Sequence, residues 1–214
     1  MSRRQPAQPC TVTLDRGAAG ALATLLPLLG CGEEAAVLGF ERLASQDSLS
    51  PELRGPLRTI AVDERVHDAL LRGLQAALPR HGPDSVPRHV ARRFHRGLQG
   101  GDVATHLAQI AGIDAAVCTI LSRLLRRSAP LANDPIVAGI LEHIRRDEVR
   151  HVAISRTIAM AMIDRRTARD VAADARAGLT TLLAFGGSSF ELLGVDPDRL
   201  CKDVGTLPKG LFPQ

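Results

Sequence analysis

The sequence predicts an all-α protein with a single helical domain. Glycines and prolines cluster between long runs rich in Ala, Leu, Val, Ile and Arg, and few stretches alternate apolar and polar residues with period two. Tyr and Trp, which favour strands, are absent. At 214 residues and 45% hydrophobic content, the chain can bury one substantial core. We therefore predict a flexible tail over residues 1–13 and one domain over residues 14–214.

Residues that start and stop helices divide the chain into successive elements. Asp15 can cap a short first helix, which Pro27 and Gly30-Cys31-Gly32 would kink or end unless it runs into the next. Ser50 and Asp102 are caps of the same kind, and Pro79 is a stop. The predicted helices cover residues 17–29, 33–46, 51–78, 86–97, 103–128, 135–165 and 167–185, with a last short helix from residue 196.

The pattern Asp-Glu-x-x-His occurs twice, once in each of two long predicted helices. The copies are Asp63-Glu64-Arg65-Val66-His67 and Asp147-Glu148-Val149-Arg150-His151. Residues three apart lie on the same face of a helix, so each copy directs one carboxylate and one imidazole to the same point. A single Glu-x-x-His is a weak signal, whereas a pair of copies that both follow Asp is far from chance expectation. The pair predicts a metal site.

The first helix pair should supply a further carboxylate to this site. A dinuclear site in a four-helix bundle takes one carboxylate from each of two helices and a Glu-x-x-His from each of the other two. With a turn near residue 48, distance from the turn places Glu34 opposite Glu64. Glu33 is the alternative after a slip of one residue, and Glu41, seven residues after Glu34, is a further candidate facing the same way.

The second helix pair should supply the fourth carboxylate. Its turn centres near residue 131, so the partner of Glu148 should fall near residue 114. Asp114 is there, and it is the only acidic residue between Asp102 and Asp134. The two distance estimates therefore both lead to acidic residues.

The predicted site combines four carboxylates with two imidazoles. Such a set can hold two divalent ions with open coordination positions, which suits Fe(II) and Mn(II) and contains too much oxygen for a structural zinc site. Open positions on two reducible metals indicate chemistry with dioxygen. Asp63 and Asp147 are predicted to accept the ring N–H of the histidine on the opposite motif helix, with exposed helix-face acids as the alternative.

The paired motifs, with arginine in the second copy, resemble the ferritin-like di-iron carboxylate superfamily, and its oxygenase and N-oxygenase branches more than its storage branch. The resemblance covers residues 33–165. It implies a ferritin-like four-helix bundle, here with additional helices at the N-terminus, between the two helix pairs and at the C-terminus. Asp114 stands where the family more often has Glu, and its shorter arm affects the expected metal spacing. The implied ligands are Glu34, Glu64, His67, Asp114, Glu148 and His151.

The resemblance implies a non-haem di-iron, or manganese–iron, oxidoreductase that uses dioxygen to oxidise a small organic substrate. The chain has no Tyr or Trp, which argues against a radical relay of the ribonucleotide-reductase type. Electrons are expected from an external donor, such as a separate reductase or a chemical reductant, with the substrate as the alternative source. Iron oxidation with storage or detoxification is the alternative function. A large cage would indicate storage, whereas a homodimer would indicate an enzyme. The residues predicted to line the substrate pocket are Val37, Leu38, Ile110, Val117 and Cys118.

Composition also bears on location and partners. Four cysteines form no C-x-x-C pair, which predicts a reducing, cytoplasmic setting. No export signal and no uninterrupted apolar run of about 18 residues is evident, so we expect no membrane association. The net charge of +4 favours acidic partners or anionic substrates, with codon bias as the plainer explanation. No RNA-binding motif or aromatic platform supports nucleic-acid binding. A solvated face or an acidic partner protein would explain the basic stripe Arg88, Arg92, Arg93 and Arg96.

Overall fold

The computed structural model describes residues 11–80 and 88–213. Within these ranges the protein is helical and has no strand, which confirms the predicted all-α class. Residues 1–10 of the predicted tail and residues 86–87 of a predicted helix lie outside the described residues. Short 3-10 turns cover Pro130–Asn133 and Ala184–Gly186. The helices are α1 (Arg16–Ala44), α2 (Pro51–Ala77), α3 (Arg88–Leu98), α4 (Val103–Leu124), α5 (Pro135–Met162), α6 (Arg165–Leu183), α7 (Gly187–Leu192) and α8 (Pro197–Gly205).

α1 is one continuous helix of 29 residues. The expectation that Pro27 and the glycines after it would end a separate first helix is therefore wrong, and the alternative of a continuous helix is right. Proline removes one backbone hydrogen bond inside a helix, and glycine weakens it further. However, Leu22, Leu26 and Cys31 in this stretch are buried. The apolar surface that they remove from water outweighs these local penalties.

Aspartate side chains cap five of the helices. Each accepts hydrogen bonds from backbone N–H groups of the first helical turn, which otherwise lack partners. Asp134 also accepts a hydrogen bond from the Thr13 hydroxyl at 2.9 Å, so the last residue of the predicted tail is tied to the start of α5. The capping residues are Asp15, Asp102, Asp134, Asp164 and Asp196.

Contacts between helices define two antiparallel pairs. α1 packs along α2, α4 packs along α5, and the pairs meet where α2 contacts α5. In the first pair the antiparallel direction follows from the contacts of Glu33 with His67 and Glu41 with Arg65. In the second pair it follows from Asp114 near Glu148 and Cys118 near Arg145. α3 lies against α1 and α6, and α6 lies against α4. α3 and α6 therefore cover the side on which α1 and α4 would otherwise face solvent.

The apolar core has two parts with a polar layer between them. On α1, residues up to Cys31 belong to one part and residues from Phe40 onward to the other. On α5, Ile144 belongs to the first part and Ile158 to the second. Glu33 on α1 and the motif residues Glu148 and His151 on α5 fall in these intervals, so the buried acids and histidines form a layer between the two parts.

α4 and α6 approach each other closely because small residues meet at their interface. A Cβ atom on Gly112 would lie only 3.0 Å from the Cβ and carbonyl oxygen of Ala172. Arg176 is fully buried and donates to the Gly112 carbonyl at 3.0 Å. It also donates to the carbonyl oxygens of Asp203 and Thr206. These bonds fix the C-terminal segment to α4 behind the polar layer.

α1 and α4 are long and apolar enough to cross a membrane by length and composition. About half of each apolar stretch is buried inside the protein. Core helices of soluble proteins share this property, so it is weak evidence for a membrane span. In both helices the apolar residues pack into the two parts of the core.

Candidate metal centre

Two glutamates and two histidines form the middle of the polar layer. Glu64 Oε2 lies 3.3 Å from His67 Nδ1, and its Oε1 lies 2.9 Å from His151 Nδ1. Glu148 has the same arrangement, with Oε1 at 3.7 Å from His67 Nδ1 and Oε2 at 3.7 Å from His151 Nδ1. The two imidazole centroids are 5.8 Å apart. Each glutamate can therefore bridge two ions that are held by different histidines.

Glu33 and Asp114 occupy the two ends of this arrangement. Glu33 Oε2 lies 3.3 Å from His67 Nδ1. Ligand atoms of Glu33, Glu64, His67 and Glu148 lie within 4.8 Å of one another, and those of Asp114, Glu148 and His151 do the same. The site thus has two halves that share Glu148. The half with Asp114 brings two carboxylates together, whereas the half with Glu33 brings three.

Glu34 lies outside the cluster, which corrects the predicted register of α1. Its Oε2 is 3.1 Å from Nη2 of Arg92 on α3, and its side chain is 39% exposed. Successive helical residues point about 100° apart, so only one of Glu33 and Glu34 can face the site. Glu33 takes the place predicted for Glu34, and Glu41 pairs with Arg65 at the surface. Turn distance alone cannot resolve a one-residue rotation.

Two aspartates hold the outer nitrogens of the histidines. Asp147 Oδ2 lies 3.2 Å from His67 Nε2, and Asp63 Oδ2 lies 3.3 Å from His151 Nε2. Each aspartate belongs to the opposite motif helix, as expected from the sequence. Arg150 lies 2.8 Å from Asp63 and 3.1 Å from Asp147 and so links the two carboxylates. With Nε2 directed at an aspartate, Nδ1 of each ring faces the cluster.

The inner carboxylates decide the charge of these histidines. Burial lowers the pKa of His67, but the carboxylates of Glu33 and Glu64 beside its Nδ1 outweigh burial and raise its pKa to about 11. Glu148 and Glu64 act in the same way on His151 and raise its pKa to about 11. Without a cation, both imidazoles are therefore protonated at neutral pH.

The pKa values of the four carboxylates are shifted in different directions. Burial raises the pKa of Glu33, Asp114 and Glu148, and the neighbouring carboxylates, led by Glu64 for Glu33 and Glu148, raise it further. Burial also acts on Glu64, but the imidazoles of His151 and His67 beside its carboxylate outweigh it, and the pKa of Glu64 falls. The metal-free cluster therefore retains protons that a bound cation would displace.

The cluster also fits the donor set of a dinuclear centre. Nδ1 of His67, Nδ1 of His151 and Oδ2 of Asp114 are buried and have no hydrogen bond of acceptable geometry. Buried polar atoms without partners are costly, and a cation would bind all three atoms once the imidazoles have lost their Nδ1 protons. Two divalent ions would balance four carboxylates beside neutral imidazoles. This oxygen-rich set suits Fe(II) or Mn(II) better than structural zinc.

A cavity of about 90 Å³ lies beside the cluster, between α1 and α4. Carboxylates of the cluster form part of its wall, including Glu33 and Asp114, and most other lining residues are apolar. A ligand in this cavity would contact the candidate metal ligands directly on one side and aliphatic side chains on the other. A mainly apolar cavity with a few polar groups has the character of a small-molecule binding site.

Two of the five predicted pocket residues line this cavity, namely Ile110 and Val117. Val37 and Leu38 do not, and Leu38 is 61% exposed. The same one-residue rotation of α1 explains why Ala36 lines the cavity in place of Val37. Gly39, three residues after Ala36, lies on the same helix face and lines the cavity as well. Cys118 turns toward α5, where its Sγ lies 3.9 Å from a backbone carbonyl, and burial raises its pKa to about 12.

Two cavity residues, His95 on α3 and His106 on α4, were missed by the sequence analysis. His106 is buried. Its spacing of four from Ile110 and eight from Asp114 is a helical signal that could have placed it at the edge of the inward face. No such signal exists for His95, because α3 reaches the cavity only through tertiary packing.

Comparisons with known proteins add no family assignment. No protein-family model matches the chain, and no curated protein sequence matches it significantly. The candidate centre is therefore defined by its own geometry, that is, by Glu33, Glu64, His67, Asp114, Glu148 and His151.

Proposed function

We propose that the protein is a dioxygen-dependent oxidoreductase with a dinuclear iron, or manganese–iron, carboxylate centre. The proposal includes a ferritin-like arrangement of α1, α2, α4 and α5 around that centre. One observation carries it: Glu64 and Glu148 each reach Nδ1 of both histidines. A single-ion site has no need for two carboxylates that each span two imidazoles, whereas a pair of ions does.

The residues of the chain have distinct roles in this proposal. His67 and His151 bind through Nδ1, because Asp147 and Asp63 engage Nε2. Loading displaces the protons that the metal-free cluster holds, since both imidazoles must be neutral to act as ligands. Two reduced ions bound there would supply electrons to dioxygen.

The cavity supports an organic substrate for this centre. Its apolar wall, which includes Ile110, Ile113 and Val117, would bind an aliphatic part and limit the access of water. Reaction with dioxygen would oxidise the two reduced ions in every turnover, so we propose that an external donor reduces them again. The exposed arginines of α3, such as Arg93 and Arg96, are a candidate contact for an acidic partner protein.

Anaerobic loading with Fe(II), followed by oxygen uptake with a chemical reductant, tests the proposal. We expect about two iron ions per chain and repeated turnover of dioxygen. Glu64→Gln should abolish both, whereas the matched surface variant Glu34→Gln should retain both. Binding of less than one ion per chain, or of zinc alone, would contradict a dinuclear iron centre. Uptake that stops after one oxidation of the bound iron, in a large assembly, would instead indicate storage.

A further inference from the structure

The cavity contains polar groups that the metal centre does not use. Besides the carboxylates of the cluster, its polar lining residues are His95, Gln99 and His106. The His95 ring lies against Gly32, with Nε2 3.8 Å from the position of a Cβ there. The His106 ring lies against Gly39, with Nε2 3.6 Å from the equivalent position. Both imidazoles therefore border the α1 wall of the cavity, two helical turns apart.

Neither imidazole has a counter-charge or a hydrogen-bond partner among the described residues. Burial lowers the pKa of His95 to about 4. Burial, with a smaller contribution from Arg42, lowers the pKa of His106 to about 4. At neutral pH each ring is uncharged and offers one N–H donor and one nitrogen acceptor. Polar groups of this kind, placed in a mainly apolar pocket, are what orients a bound ligand.

The charges around the cavity limit what it can bind. No Arg or Lys is among its lining residues, so at His95 and His106, away from the metal centre, a carboxylate or phosphate would be buried without a cationic partner. The basic residues that favoured anionic substrates in the sequence analysis do not line this cavity. When two divalent ions balance the four carboxylates, as in the proposed function, an ammonium group would also lack a counter-charge.

We propose that His95 and His106 bind the polar group of the substrate, and that the substrate is a small uncharged molecule with an apolar body, such as an alcohol or an amide. This inference rests on the proposed function in one respect, since the two bound ions are what neutralise the four carboxylates and so exclude a cationic substrate. The size of the cavity, about 90 Å³, agrees with it. A cavity of about 150 Å³ holds benzene, so the ligand, or the part of it that enters, is smaller.

Three probes of similar length test the inference: 1-butanol, butanoate and butylammonium. Binding is followed by the ring-nitrogen NMR signals of the zinc-loaded, ¹⁵N-histidine-labelled protein, because zinc is diamagnetic and redox-inert. We expect 1-butanol to shift the signals of His95 or His106 and to bind at least about tenfold more tightly than either ion, the typical effect of one hydrogen bond or more. His95→Leu with His106→Leu should remove this preference and weaken butanol binding by a similar factor.

Two controls keep the result interpretable. His89→Leu, at an exposed position of α3, should leave butanol binding unchanged. His95→Gln with His106→Asn should restore part of it, which separates lost hydrogen bonding from a damaged fold. Equal binding of butanoate, unchanged affinity in the double leucine variant, or no shift at either ring would overturn the inference.

The same titration on metal-free protein separates the two proposals. If two ions bind per chain but butanol does not reach His95 or His106, the recognition role fails while the dinuclear centre stands. If metal does not bind and butanol still requires these histidines, the dinuclear proposal fails while the recognition role stands.

Discussion

Two pairs of histidines lie side by side in this protein and differ in the direction in which their pKa is shifted. His67 and His151 face carboxylates, and their pKa is raised to about 11. His95 and His106 line the adjoining cavity without a charged partner that favours the protonated ring, and their pKa is lowered to about 4. Burial acts in the same direction on all four rings. The placement of carboxylates therefore decides which pair can become part of a charged centre and which stays neutral.

Metal binding should have the largest effect, and it should act on His67 and His151 but not on His95 and His106. We expect each divalent ion to raise the free energy of unfolding by about 4 kcal/mol at a free concentration about 1,000 times its dissociation constant. Binding should also release protons, because His67 and His151 must lose theirs. Urea denaturation with and without Mn(II), and calorimetry in buffers of different ionisation enthalpy, measure the two effects. Unchanged stability, or no proton release near neutral pH, would contradict protonated imidazoles in the metal-free cluster.

Acidification should lower the stability of the protein through the other pair, His95 and His106. The unfolded chain protonates histidine below a pKa of about 6.5, whereas native His95 and His106 stay neutral down to about 4. Stability should therefore fall as pH falls between these values, by up to on the order of 3 kcal/mol per histidine. His67 and His151 contribute in the opposite sense, since their stabilisation is complete below a pH of about 6.5 and is lost toward a pH of about 11.

Single variants isolate that pH effect from the titration of the carboxylates. The difference in unfolding free energy between wild type and His106→Leu should shrink steadily from about pH 7 to about pH 4.5, because only the wild type bears the cost of keeping this ring neutral. His95→Leu should behave in the same way. A difference that is constant with pH would show that these rings titrate normally in the folded protein.

Removal of one carboxylate should make His67 more like the cavity pair. Glu33→Gln removes a ligand and a cause of the raised pKa of His67. Loss of a residue that only supports a metal ligand typically lowers metal affinity by up to roughly 100-fold. Because Glu33 is itself a proposed ligand, we expect the affinity of the Glu33→Gln protein for its first metal ion to fall by at least this factor. Glu34→Gln, which affects only the pair with Arg92, is the matched control. If the Glu34 variant is the damaging one, α1 directs Glu34 rather than Glu33 at the metal.

Loss of an outer aspartate should have the smallest effect. Asp147→Asn keeps the size of the side chain but weakens the hold on His67 Nε2. A roughly tenfold to 100-fold loss of metal affinity is typical of such changes, and we expect about tenfold. Asp63→Asn should act similarly through His151. Competition with a chelator measures both, and an effect as large as that of Glu33→Gln would indicate direct coordination by the aspartate.

Most residues of the candidate metal centre could be predicted from the amino-acid sequence. The motif histidines and glutamates could be predicted because a spacing of three fixes a shared helix face, whatever the helix packs against. Asp114 could be predicted because α4 offers no other acid at its middle. Glu33 could not be separated from Glu34, since one residue corresponds to about 100° of rotation and only packing sets that angle.

By itself, then, the sequence determined an all-helical chain, the bounds of most helices, and the kinds of donor that a dinuclear site requires. The tertiary structure decided the rotation of α1, and with it whether Val37 and Leu38 or Ala36 and Gly39 face the cavity. It also brought His95 from α3 to the same cavity as His106. Local spacing is a property of the helix alone, whereas the direction a helix faces and its neighbours depend on burying the apolar surface of the whole chain.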